Sequence, residues 1–252
     1  MLKTRIIPTL LMKGIGLVKG TGFDSWRRVG GALQSIRVYN MREVDELILM
    51  DISATPDGGP PNFREIDELA DNCFMPMTVG GGVRTVQDVR DLLAVGADKV
   101  AINSAALANP ELIRAACAEF GAQCIVVSID VRRDAGGVTE VVSRCGSERT
   151  GRDPVEWAKM VAALGAGEIL VTSVERDGTM TGYDVELVRD VAAAVNIPVI
   201  ASGGCGSYAD MADVLNATRA SAVAAAAMFH FTEQTPREAK QYLAERGFPV
   251  RQ

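Results

Sequence analysis

The sequence predicts an α/β chain folded as a (βα)8 TIM barrel built from two repeated half-barrels, and three observations carry that prediction. Short β-branched runs alternate with longer helical patterns along all 252 residues, the rhythm of successive βα units. Runs such as "CIVVSID" and "IPVIAS" are apolar almost throughout, as parallel strands covered by helices must be, whereas half-exposed antiparallel strands alternate. The halves also resemble each other: "TVGGGVRTVQDVRDLLAVGADKVAINSA" from Thr78 aligns with "IASGGCGSYADMADVLNATRASAVAAAA" from Ile200, and "RIIPTLL" from Arg5 aligns with "CIVVSID" from Cys124. A repeat of about 120 residues with four βα units in each copy accounts for eight strands without a second domain. Residues 1–252 are therefore assigned to a single barrel domain.

The elements follow in order. A first strand over 5–11 runs through Leu11 into a glycine-rich loop that carries Lys19, and a helical pattern follows at about 30–45. Strands over 47–51, 76–80 and 98–103 alternate with helical patterns at 62–72, 85–95 and 109–120. The second half repeats this with strands 124–130, 168–172, 198–202 and 221–225 and helices 154–164, 184–195, 207–217 and 236–246. Helix starts carry capping signals, such as Asn109-Pro110-Glu111 and Asp153-Pro154-Val155-Glu156.

Composition narrows the function. A net charge of −6 argues against a nucleic-acid or membrane surface, either of which favours a concentrated basic face. Five cysteines form no CxxC pair, as expected of reduced thiols in a cytoplasmic protein. No segment approaches the roughly 18 apolar residues of a membrane span. Metal-ligand clusters, serine triads and Cys/His pairs cannot be assembled from these residues, so no metal and no cofactor is expected, and His230 is read as structural.

In such a barrel the reactive groups lie at the C-terminal strand ends. The third strand ends in Gly80-Gly81-Gly82 and the seventh in Ser202-Gly203-Gly204. Each turn is either a tight loop or a phosphate cradle, since glycine lets backbone N–H groups approach an anion. Asn103-Ser104 and Ala225 to Ala227 end the next strands and can close the same sites. Asp130 is either a loop-capping aspartate or a general acid or base; Asp51 ends the second strand, and Asp177-Gly178 follows the sixth, either as a site residue or as a turn pair alone. Lys19 either steadies an anionic substrate or is simply solvated. At the opposite strand ends Arg5, Glu46, Lys99 and Glu168 form either a ring of surface salt bridges or a charged gate.

The segments "RIIP…LVKG", "DELILMDI", "PMTVGGGVR", "GADKVAIN", "AQCIVVSID", "GAGEILVTSVERDGTMTGYD" and "IPVIASGG" closely resemble the cyclase (synthase) subunit family of imidazole glycerol phosphate synthase. The resemblance implies a barrel that receives ammonia from a glutaminase subunit docked on its N-terminal face and uses it on a phosphorylated substrate. It implies that Arg5, Glu46, Lys99 and Glu168 form the ammonia gate and that Asp98 and Gln123 lie near the glutaminase contact. It matches Gly82, Asn103, Asp177, Gly178, Gly203 and Gly204 to phosphate sites, and Lys19 and Asp130 to substrate-binding and catalytic positions. Gly81 and Ser104 join the candidate phosphate sites by their place beside these residues.

Departures cluster on the substrate side. Members that make imidazole glycerol phosphate carry an aspartate where this chain has Leu11, and the internal repeat shows the same contrast by aligning Leu11 with Asp130. Gly16 stands where the family usually has an arginine, and Ala227 where it has a serine. The segment "LLMKGIGLVKGTGF…RRVGGALQSIRVYNMREVDELILMDISAT" is similar to paralogues found with surface-polysaccharide genes, which convert an acetamido group on a sugar to an acetamidino group. The expectation is an ammonia-using synthase with a phosphorylated or nucleotide-sugar acceptor. A genuine histidine-pathway cyclase and a non-catalytic activator of a glutaminase are the alternatives. The segment from Val131 to Gly151, with Arg132, Arg133, Arg144 and Arg149, contains a hairpin and is either a solvated flap or a lid over an anionic substrate.

Overall fold

The computed structural model describes residues 3–14, 16–134 and 136–251; Ile15 of the first loop and Ala135 of the expected lid lie outside the described residues. The first half contains β1 (Arg5–Met12), β2 (Leu17–Thr21), β3 (Asp24–Gly30), α1 (Ala32–Met41), β4 (Leu47–Asp51), α2 (Phe63–Ala70), β5 (Met77–Gly80), α3 (Val86–Ala94), β6 (Lys99–Ile102), α4 (Ser104–Ala108) and α5 (Glu111–Phe120). The second contains β7 (Ile125–Arg133), β8 (Thr139–Ser143), β9 (Glu148–Arg149), α6 (Pro154–Ala163), β10 (Glu168–Ser173), α7 (Val185–Ala194), β11 (Val199–Ser202), α8 (Tyr208–Ala217), β12 (Ala222–Ala225), α9 (Ala227–Phe231) and α10 (Pro236–Glu245).

Strands β10, β11, β12, β1, β4, β5, β6 and β7 pair in that order, and β7 pairs in parallel with β10 to close the ring. All eight expected barrel strands are present, with ends within one to three residues of their expected positions. The two halves also match in register and capping. Leu11 sits opposite Met50 across β1 and β4, and Asp130 sits opposite Thr172 across β7 and β10. Thr85 with Asp88 at α3 and Ser207 with Asp210 at α8 form equivalent capping boxes, each satisfying two otherwise orphaned helix N–H groups.

Alternate strand residues divide into two cores. Ile7, Ile48, Val126, Leu170 and Ile200 fill the barrel interior. Ile6, Leu10, Met12, Leu47, Leu49 and Val127 belong to the larger core between sheet and helices. Leu10 and Met12 thus anchor the first strand to its helices, while Leu11 between them faces inward.

Three expectations change. The glycine-rich segment after β1 is an antiparallel hairpin, β2 and β3, because Val18 and Leu17 continue the ladder against Leu11 and Met12. Short helices α4 and α9 follow β6 and β12. Asp153 caps α6 by accepting from Val155 and Glu156 N–H at 2.9 Å each, but the start of α5 has no side-chain cap; the Asn109 carbonyl accepts from Leu112 instead.

Ile200 is fully buried inside the barrel, so Ile200→Ala is expected to cost about 2–5 kcal/mol, measured as a lowered urea midpoint at unchanged slope.

Candidate active site at the C-terminal strand ends

A cavity of about 360 Å³ opens at the C-terminal ends of the strands, within the roughly 300–1,000 Å³ typical of small-molecule sites. The strands supply its wall at every second residue: Thr9 and Leu11 from β1, Ser128 and Asp130 from β7, Leu170 and Thr172 from β10. Gly81, Gly82, Asn103, Ser104, Asp130, Asp177, Gly178, Gly203 and Gly204 all line it. Residues from six βα loops or strand ends, remote in sequence, therefore meet around one space.

Asp130 is held by two donors. Asn103 Nδ2 reaches one carboxylate oxygen at 2.9 Å and Ser128 Oγ reaches the other at 3.1 Å. Burial pushes its carboxyl up to about 7; the Ser128 hydrogen bond opposes the rise and the nearby Asp177 charge adds to it. A carboxyl that titrates near neutrality is suited to moving protons in either direction. Burial also raises Asp177, against the opposing charge of Lys19. Asp51 has a structural task, since its Oδ1 accepts from Ser53 N–H at 2.9 Å, Ser53 Oγ at 2.7 Å and Ala54 N–H at 3.1 Å.

Lys19 lies apart from the cavity wall. It is buried on β2, where Nζ donates to the Thr9 carbonyl at 2.7 Å, and burial lowers its pKa against the pull of Asp177. His230, on α9, is driven down to about 4 by burial with Lys19 as a like-charged neighbour.

The glycine turns are sterically required. Gly81 and Gly204 have φ of +104° and +102°, and a Cβ would collide with the carbonyl oxygens of Asp51 and Gly182 respectively. The N–H of Gly82 donates to Thr55 Oγ1 at 3.1 Å.

At the opposite end of the barrel the four predicted charges form one network. Arg5 contacts Glu46 at 2.7 Å and also pairs with Glu168; Lys99 reaches Glu46 at 2.8 Å and Glu168 at 2.9 Å. The Glu46 and Glu168 side chains are only 4% and 7% exposed, so this is no surface decoration. Burial pushes the Glu46 carboxyl up, but the charges of Arg5 and Lys99 outweigh it and hold the group below its ordinary range. Thr78 Oγ1 donates to Glu46 at 3.0 Å. Asp98 and Gln123 lie exposed near the starts of β6 and β7; Asp98 also accepts from Met77 N–H at 2.8 Å.

Phe23 and Trp26 of the β2–β3 hairpin and Cys145 of the turn between β8 and β9 also line the cavity and escaped the sequence reading; Arg144 of that same turn, one of the arginines of the expected flap or lid, lines it too. The hairpin signal was present in the Gly22-Phe23-Asp24 turn; the reach of the second turn was not. That turn lies on the cavity mouth, with Arg144 N–H donating to Ser104 Oγ at 2.9 Å and Cys145 Sγ contacting the Ile52 carbonyl at 3.3 Å. Among the described residues no cluster of His, Cys, Asp or Glu is placed to hold a metal, and no helix is long and apolar enough to cross a membrane.

A closed (βα)8 barrel whose top cavity gathers two buried carboxyls and paired glycine turns is the architecture of a barrel enzyme. The chain matches the family model described as histidine biosynthesis protein over residues 5–235, and it belongs to that family, whose members are generally enzymes of histidine biosynthesis.

The raised Asp130 carboxyl has a consequence for stability. Between its ordinary value of 3.8 and about 7 the folded chain holds a proton that the unfolded chain has lost, so this group makes stability fall as pH rises through that window. Asp130→Asn removes the decline: relative to the wild type it should gain stability from pH 4 to 7 and level off above, as measured by urea unfolding across that range.

Proposed function

We propose that this chain is the ammonia-using synthase subunit of a glutamine amidotransferase pair, and that it aminates an acetamido sugar to an acetamidino sugar in surface-polysaccharide biosynthesis. The observation that carries the altered acceptor is the pair of repeat-equivalent positions at the cavity wall: Asp130 in one half, Leu11 in the other. Imidazole ring closure needs proton transfers on both sides of the substrate, and a leucine supplies none. Met50 beside Leu11 makes that side of the wall apolar, whereas its counterpart beside Asp130 is Thr172. In this reading ammonia attacks the carbon of an acetamido group whose oxygen has already been made a leaving group by a phosphoryl- or nucleotidyl-transfer step elsewhere; the C–O bond breaks as the C–N bond forms, and Asp130, oriented by Asn103 and Ser128, takes the proton shed by the nitrogen.

Ammonia delivery from below is supported by the buried four-charge network, which stands at the base of the barrel beneath the apolar interior. A partner on that face is supported by exposed Phe74 and Met41, 85% and 74% accessible and linked through Asn40, which accepts from Phe74 N–H at 3.0 Å. Large apolar side chains left in water at one end of a barrel suit a protein contact. The alternative, a genuine histidine-pathway cyclase, draws support from Asp130 and Asp177, two carboxyls raised by burial in one cavity.

The deciding assay incubates purified protein with ammonium near pH 8.5, where an appreciable fraction is free amine, and with the bis-phosphorylated ribulosyl ribotide of histidine biosynthesis. The wild type is expected to form no imidazole glycerol phosphate, and Leu11→Asp to gain measurable formation; robust wild-type turnover overturns the sugar reading. Charge reversal at Asp98 is expected to abolish stimulation of the cognate glutaminase while leaving the far-UV circular dichroism unchanged.

A further inference from the structure

Phe23 and Trp26 are the aromatic side chains among the described cavity residues, and the β2–β3 hairpin brings both. Trp26 stands at a junction. It lines the cavity of about 360 Å³ and also an open groove of about 310 Å³ whose other walls are Lys13, Gly16, Val18 and Arg28. Trp26 is the residue that the two spaces share, and together they give room for a ligand longer than one sugar ring.

The indole is held in place but not covered. A Cβ at Gly20 would come within 2.7 Å of Trp26 Cε3 and 3.0 Å of Cζ3, so the glycine lets the ring lie against the hairpin backbone. The hairpin is itself docked at three points. Its base continues the ladder of β1 through Leu11 and Met12, and the Gly22 N–H at its tip donates to the Asp177 carbonyl at 2.9 Å. On its outer strand the Arg27 guanidinium sits 3.9 Å from the centre of the Phe231 ring on α9. Trp26 nevertheless remains half-buried. An aromatic ring fixed by its scaffold and left partly open loses little freedom when a flat ligand stacks on it.

The groove beside the ring carries charge of one sign. Lys13 Nζ lies 5.9 Å from the ring centre, and a Cβ at Gly16 would come within 2.7 Å of Arg28 Nε, so the missing side chain at 16 leaves space that Arg28 enters. No carboxylate joins them among the described groove residues. A ligand that passes from the cavity across Trp26 therefore meets first an aromatic face and then two cations. A hydrocarbon tail would gain nothing from the cations and a neutral sugar little, whereas a heterocyclic base attached to phosphate matches both.

We propose that Trp26 is a specificity-determining residue whose indole stacks the base of a nucleoside diphosphate sugar, the sugar reaching into the cavity towards Asp130. This names the substrate class of the sugar-amination reading and rests on that reading. The chain has two tryptophans, and the other, Trp157, is 2% exposed in the core; the difference in emission between the wild type and Trp26→Ala thus reports the ring at the cavity. The test titrates the purified full chain with the nucleoside diphosphates of the common bases, with inorganic pyrophosphate and with glucose 1-phosphate at fixed ionic strength, by fluorescence and by calorimetry. At least one nucleoside diphosphate is expected to quench Trp26 saturably and to bind about tenfold or more tighter than pyrophosphate or the sugar phosphate. Trp26→Ala should lose that advantage and leave pyrophosphate binding unchanged, and Trp26→Phe should keep most of it. Nucleoside diphosphates that bind no tighter than pyrophosphate, or a Trp26→Ala variant that binds them like the wild type, overturn the proposal. The titration involves neither ammonia nor turnover, so its failure is distinguishable from failure of the amination reading: a chain that stacks a nucleotide on Trp26 yet forms imidazole glycerol phosphate refutes the amination reading alone.

Discussion

Closure of the sheet is the constraint on which everything else in this chain depends. Once β7 pairs with β10, alternate residues of every strand face an interior with no exit except the two ends. The middle must then be filled by apolar side chains such as Ile7, Ile48 and Ile200, because an unpaired polar group there would lose water without finding a partner. Polar chemistry is driven to the ends, and the strand direction decides which end receives which set. The carboxyls and glycine turns gather where strands run into helices, and the four-charge network gathers where strands begin.

The same constraint explains what the sequence reveals. A side chain on a barrel strand has its direction set by a period of two, so the inward position of Asp130 and of Leu11 could be read without coordinates. The repeat made the reading stronger, since Leu11 with Met50 and Asp130 with Thr172 occupy equivalent registers. Charges at strand starts were legible for the same reason, and Arg5, Glu46, Lys99 and Glu168 do meet.

Loops obey no such period. Nothing in the order of residues says that the β8–β9 turn folds back onto Ser104 and Ile52, and the segment's arginines look alike there although Arg144 alone of the four lines the cavity. Lys19 shows a related limit: a lysine in a glycine-rich segment reads as a cation that either steadies an anionic substrate or is solvated, yet here the segment is a hairpin that buries the side chain against Thr9. The acceptor molecule is illegible for a deeper reason, because a barrel fold fixes where chemistry happens and leaves its substrate to a handful of loop side chains.

The network at the base has a mechanical side. Its members belong to or adjoin four separate strands, β1, β4, β6 and β10, and each carboxylate is shared by both cations. Such an arrangement acts as a hoop. Fraying any one of these strands from its starting end breaks contacts that also hold the strands across the barrel, so the open end breathes as a cooperative unit rather than strand by strand. Whatever parts that end must strain the hoop as a whole, because no single contact can be released without loading the others.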